Sequence, residues 1–276
     1  VKDSWFSELE NMNSLIRQFF QPGRQKESNF FDVLFLNDHS HAKWEEISEK
    51  APHMPRGWFE LSRVSPIDRV EFTRDFWLDR LPFYPATHPA FYEFFNQLDD
   101  VVVVLTREEK EEFWDAELVY SLEDNSSFFR GQPPCSEANL AELKNEIGAS
   151  LPRDYLAFKK IHNGFGKLSE MGLLEIGELA DARRRVMELL LGSDHLLKSG
   201  SMTVDPSSLI PFYEAFGLAS YQCFFTDWYP GSEMGNVYLS GIDYTISDLN
   251  ANSENLAFNT FLEWLTYYLQ GMNLSP

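Results

Sequence analysis

The chain has 276 residues, 43% hydrophobic and 15% aromatic, with a formal net charge of −20 at pH 7. That is apolar material for one large core or two modest ones, at the ~100–200 residues a domain usually holds. No single tail carries the charge, which is −11 over residues 1–134 and −9 over 135–276; such a field repels phosphate backbones and anionic membranes and speeds encounter with a basic protein.

Direct nucleic-acid binding and membrane adsorption are therefore set aside, although charge of this size also simply keeps a protein soluble. Cys135 and Cys223 are the only cysteines, far below the density of a disulfide-stapled secreted domain. The opening Val-Lys-Asp-Ser-Trp begins no apolar leader. The aliphatic run Val101–Leu105 is far short of the ~20 residues of a bilayer span. A reduced compartment and a cytoplasmic location are the expectation.

Leu9, Met12, Leu15, Ile16 and Phe19 recur at helical intervals and predict a helix over Trp5–Phe20, stopped at Gln21-Pro22-Gly23. Phe30–Leu36 suits a strand, and Pro52, Pro55 and Gly57 mark a loop before Trp58-Phe59-Glu60-Leu61. A second helix is predicted over Pro66–Arg80, another around Phe91–Phe95, a buried strand at Val101–Leu105, a charged helical run at Arg107–Glu112 and a strand at Leu118–Leu122. Trp5, Trp44, Trp58 and Trp77 are read as packing residues, because large exposed apolar patches are rare.

Gly131-Gln132-Pro133-Pro134 is the clearest break, since paired prolines stiffen a linker and stop a helix. Beyond it Ser136 can cap a helix carrying Leu140, Leu143 and Ile147, with Gly148 as its stop. Pro152 can open the next, with Tyr155, Leu156, Phe158 and Ile161, ended by Asn163-Gly164. Short strands are predicted at Leu173–Ile176, Leu209–Phe212 and Tyr221–Phe225, a hairpin turn at Ser240-Gly241 between Val237–Leu239 and Ile242–Ile246, and a closing helix with Phe258, Phe261, Leu262, Leu265 and Leu269.

The string Gly148-Ala-Ser-Leu151-Pro152-Arg-Asp154-Tyr155-Leu156-Ala-Phe158, followed by Ile161-His-Asn163-Gly164-Phe165-Gly166, resembles the opening of the SUKH superfamily. Leu209-Ile210-Pro211-Phe212 is similar to that family's central strand entry, and Phe261-Leu262-Glu263-Trp264-Leu265 to its final helix. Two departures stand out: Asn259-Thr260 replaces the usual Ser-Phe pair, and Ala219-Ser220 stands where many members have Gly-Asp. The resemblance implies an α+β fold with a mixed sheet flanked by helices over 134–271; residues 1–130, an α+β region by their own predicted elements, lie outside it and have no assigned role. It also implies action by contact, without catalysis: as an immunity protein that neutralises a toxin, or as a regulator that binds signalling partners.

The remaining chemistry is thin. Gly164-Phe165-Gly166-Lys167 follows a helix, not a strand, and reads as a glycine cap and turn, not a phosphate loop. His39, His41 and His53 lack neighbouring cysteines and a helical spacing, so they read as surface residues, not metal ligands. Cys223, in an apolar strand, reads as buried, and Arg183-Arg184-Arg185 as a solvated helix face with local ion pairs. No catalytic residue, metal site or cofactor is assigned.

In Phe225-Thr226-Asp227-Trp228-Tyr229-Pro230-Gly231-Ser232-Glu233 aromatic and acidic residues meet in a turn-rich segment, where loops carry recognition. Phe165, Asp227, Trp228, Tyr229 and Glu233 are thus the candidate contacts for a basic protein partner, against the alternative that Trp228 and Tyr229 cover a sheet edge. A scaffolding protein with an intracellular signalling partner is the second reading, and a hydrolase within 1–130 the third.

Overall fold

The structure is a computed structural model that describes residues 14–22, 30–110, 112–123, 127–170, 172–192, 196–215, 219–250 and 252–271, without the side chains of 144–146 and 253. Trp5, Leu9, Met12 and Gly23, which belong to the predicted first helix and its stop, lie outside the described residues. Two compact units emerge, and neither is a continuous half of the chain. The first comprises Val1–Trp77, Phe95–Pro133 and Phe165–Met171; the second, Leu78–Phe94, Pro134–Gly164 and Gly172–Pro276.

In the first unit, an antiparallel sheet takes the order β1 (Asp32–Phe35), β2 (Leu98–Arg107), β3 (Asp115–Leu122), β4 (Phe128–Gly131), β5 (Phe165–Lys167). Side chains alternate across β2 and β3, so each face has its own core. On one face Val102, Val104, Val119 and Phe128 meet Ile16 and Phe20 from the segment of α1 (Ser14–Phe19). On the other, Tyr120 and Phe165 pack edge-on against Trp77, which donates from its indole N–H to the Tyr120 hydroxyl at 3.1 Å. Helices α2 (Trp44–Lys50) and α3 (Arg56–Leu61) come next in the chain, α3 starting directly after Pro55 at its N-cap, so that Gly57 is helical and not part of a loop. Helix α4 (Pro66–Arg80) runs over the predicted span, with Arg69, Thr73 and Trp77 buried while Ile67, Phe72 and Phe76 are exposed, and α5 (His88–Asn96) contains Phe91–Phe95.

Of the helical run predicted at Arg107–Glu112, the described residues are not helical. Arg107 ends β2 and the chain turns back into β3, its guanidinium bonded to Asp32 at 2.9 Å through Nε and to the Lys110 carbonyl at 2.5 Å. Strand pairing on both sides outweighs the weak helix preference of a short charged run.

The second unit holds a mixed sheet ordered β7 (Met202–Thr203), β6 (Lys198–Ser199), β11 (Thr245–Ile246), β10 (Asn236–Ser240), β9 (Ser220–Phe225), β8 (Leu209–Ala215), with β12 (Ala257–Phe258) also paired to β10. Along β9 the period of two sends Tyr221, Cys223 and Phe225 to one face, where they meet Val186 and Leu190 of α8 (Leu179–Leu191). Phe224 points the other way, to Tyr155 of α7 (Arg153–Lys159) and Phe261 of α9 (Phe261–Gln270).

Ser136 accepts the Asn139 N–H at 3.1 Å at the start of α6 (Glu137–Ile147), and Gly148 takes a left-handed φ of +68° after it. The turn at Asn163-Gly164 is short, and Phe165–Lys167 continues as strand β5 instead of extending that turn. Leu173 makes only an isolated bridge to Tyr213, and Ile176–Glu178 is a 3-10 turn, not a strand. The hairpin after β10 pairs Leu239 with Ile246 and Ser240 with Thr245, so its loop has four residues, with Tyr244 in the left-handed region at φ 54°. Phe258 belongs to β12, and α9 starts at Phe261 with Thr260 as its N-cap.

Candidate functional site

Asp154, in the first turn of α7, is fully buried, and its carboxylate accepts the N–H of Tyr155 at 2.9 Å and that of Leu262 at 3.0 Å. It therefore fills unpaired donors at the N-termini of two helices, α7 and α9, whose dipoles both favour a negative charge. Burial nevertheless pushes its pKa up to about 6, with the neighbouring Glu233 adding to the rise against the two backbone bonds.

One turn on, Lys159 is also fully buried, its pKa pushed down to about 7 by desolvation. Its amine donates to the carbonyl of Asn163 at 2.5 Å and to that of Leu174, and sits 5.1 Å from the centre of the Tyr155 ring. Asn163 in turn accepts the Ile176 N–H at 2.9 Å and donates to Glu175 at 3.2 Å. The Tyr155 ring packs on Phe212, Phe224 and Phe261. The Leu-Pro-x-x-Tyr and Asn-Gly strings are thus the positions that lock α7 to the sheet and to α9.

Beside Asp154 lies the loop joining β9 to β10. Its closure rests on three backbone bonds of 3.0 Å: Trp228 N–H to Phe225 O, Gly235 N–H to Trp228 O, and Phe225 N–H to Gly235 O. The Trp228 ring covers Gly235 so closely that a Cβ there would lie 2.4 Å from its Cε3. Gly235→Ala is accordingly expected to push the indole out and cost about 1–3 kcal/mol, seen as a lowered urea midpoint together with a red shift of tryptophan emission. Glu233 is largely covered and lies 3.8 Å from Nε of Arg153, which is 90% exposed. Tyr84 faces the same group: burial raises its pKa first, and the charges of Asp154 and Glu233 raise it further. The loop thus carries the exposed Asp227 and Tyr229 and the largely covered Glu233, and next to Glu233 lie Tyr84, the exposed Arg153 and the buried Asp154.

Residues 134–266 match the family model described as the SMI1 / KNR4 family (SUKH-1). The C-terminal half of this chain is a SUKH-1 domain. No curated protein matches the chain. At the level of the family, SUKH-1 membership supports a protein-binding role, of immunity or regulatory type.

Of the residues singled out in the sequence, the SUKH-1 loop presents Asp227 and Tyr229 to solvent, Tyr229 at 56% exposure. Trp228 is half-buried and packs against the cluster of Cys223, Phe225 and Val237, and Glu233 sits against Arg153. Phe165 is elsewhere: it is fully buried in β5 of the first unit, stacked on Phe129. Asp154, Arg153 and Tyr84 were not singled out as contacts, because their meeting with Glu233 depends on segments far apart in the chain.

Burial raises the pKa of both thiols; for Cys135, Lys159 only partly counters the rise. Both are protonated at neutral pH and are poor nucleophiles. Among the described residues no three His, Cys, Asp or Glu side chains converge as a metal site, and no helix is long and apolar enough to cross a membrane.

Proposed function

We propose that this protein is a non-catalytic binding module of the immunity type, which neutralises a basic toxin by covering its active surface. The observation that carries the reading is the exposed pairing of Asp227 and Tyr229 on a loop braced by Trp228 and Gly235, beside Glu233 and the buried Asp154 of the SUKH-1 domain. Tyr229 supplies an amphipathic anchor, and the acids meet Lys and Arg of the partner. Phe165 is enclosed and Trp228 braces the loop, so the contact is assigned to Asp227, Tyr229 and Glu233. With a net charge of −20, the charges act chiefly on the association rate. Within this reading residues 134–271 are the recognition domain, and 1–130 contribute residues 78–94 to the same compact unit.

The test uses the full chain as bait, because a fragment beginning at 135 would lack Leu78–Phe94 of the second unit. From source-cell lysate the wild-type bait is expected to retain a basic protein that elutes with salt and whose toxicity it suppresses. Asp227→Lys/Tyr229→Ala is expected to weaken that complex by about 100-fold, on the scale of two interface anchors. A partner held equally well by both baits, or held independently of salt, overturns the assignment of the surface. A partner without toxic activity favours the regulatory role instead.

A further inference from the structure

A cleft of about 360 Å³ opens on α8, lined by Ile147, Ala180, Arg183, Arg184, Met187 and Ser207. Its floor is apolar, from Ile147, Ala180 and Met187, and its edge is cationic. The three adjacent arginines of α8 are used differently. Arg184 pairs with Asp181 at 2.5 Å and Arg185 with Glu214 at 2.9 Å. Arg183 donates to two backbone carbonyls, Ile147 O at 3.0 Å and Ser207 O at 2.6 Å, and makes no ion pair among the described residues. Two carbonyls fix the guanidinium in place without neutralising it, and they leave some of its five N–H donors for another acceptor.

A fixed, uncompensated cation over an apolar floor is complementary to one carboxylate next to one apolar side chain. The acidic field of the whole chain narrows the choice, since it disfavours ligands carrying several negative charges, polyphosphates among them. An open cleft of this size admits a terminal side chain of leucine or isoleucine size and its carboxylate. We propose that this cleft binds the C-terminus of a peptide that ends in an apolar residue, the terminal carboxylate on Arg183 and the last side chain against Ile147 and Met187. This site is separate from the loop bearing Asp227 and Tyr229 and does not depend on the role assigned to that loop.

The probe is the peptide acetyl-Gly-Gly-Ile-Leu, as free acid and as C-terminal amide, titrated into full-length protein labelled with 13C at the methionine methyl groups. The Met187 signal is assigned by its loss in Met187→Leu. The acid is expected to shift that signal, and the amide to bind at least about tenfold more weakly, because only the acid offers a charge-assisted bond. Arg184→Glu, on the exposed rim and away from the carbonyl anchors of Arg183, is expected to weaken the acid by about tenfold while leaving the remaining methyl spectrum unchanged. A Met187 signal that stays still into the low millimolar range, or that moves equally with acid and amide, overturns the proposal. So does a shift with decanoate but not with the peptide, which would assign the cleft to a lipid.

Discussion

Replacing Arg69 by methionine is expected to destabilise the protein by about 3–5 kcal/mol, the range for removing one partner of a buried ion pair. The guanidinium meets both carboxylate oxygens of Asp100 at 2.7 Å and the Val64 carbonyl at 2.6 Å. Both side chains are less than a tenth exposed. Without Arg69, Asp100 keeps only the N–H of Val101, at 2.7 Å, and carries a buried charge with no counter-ion. Arg69→Met/Asp100→Asn removes that charge while keeping an acceptor for the Val101 N–H, so it is expected to recover more than half of the loss. Urea unfolding followed by tryptophan emission reads both variants. A single-variant loss below about 1 kcal/mol, or a double variant no better than the single, would contradict this account of the pair.

That pair also marks the limit of what the sequence makes legible. Helix preference is local, and α4 runs over the predicted Pro66–Arg80, although its Ile67, Phe72 and Phe76 face outward. Nothing local reveals that Arg69 turns inward with Thr73 and Trp77 to reach a carboxylate 31 positions away. Strand β5 is a similar case. Phe165–Lys167 is three residues long, too short for a periodic signal, and it is a strand because Phe129–Gly131 offers an open edge to pair with. The helix starts at Ser136 and Pro152 and the stop at Gly148 were readable because capping is decided within a turn of chain.

Likewise the acidic-aromatic loop was visible as a loop. That Trp228 would fold over Gly235 while Tyr229 faces water follows only from the closure of the β9–β10 hairpin. The family strings were legible as a resemblance. Their physical content, a carboxylate shared by two helix starts and a lysine enclosed by carbonyls, required the packing of α7 against α9 and the sheet.

Asp154 and Lys159 give the SUKH-1 domain opposite pH dependences, and stability should show both. Asp154 has its pKa raised by burial from 3.8 to about 6, so the folded state holds a proton that the unfolded state has lost. Its contribution is fully present below about pH 4 and is lost as pH rises through about 6. Lys159 has its pKa lowered by burial from 10.5 to about 7, so above pH 7 the unfolded state holds the extra proton, and stability increases with pH. Cys135, Glu175 and Glu178 face Lys159 and favour its charged form, which blunts the effect without reversing it.

The two shifts correspond to effects of about 3–5 kcal/mol, the larger for Lys159, with the least favourable balance between about pH 6 and 7. Differences from matched variants isolate the two residues from the general acidity of the chain. The margin of wild type over Asp154→Asn is expected to shrink between pH 4 and 6, and that over Lys159→Met to grow between pH 7 and 9, both in urea titrations. A margin independent of pH for Lys159→Met would mean that the ammonium stays charged on its carbonyl acceptors. The two carbonyls and the Tyr155 ring would then outweigh the cost of burying it.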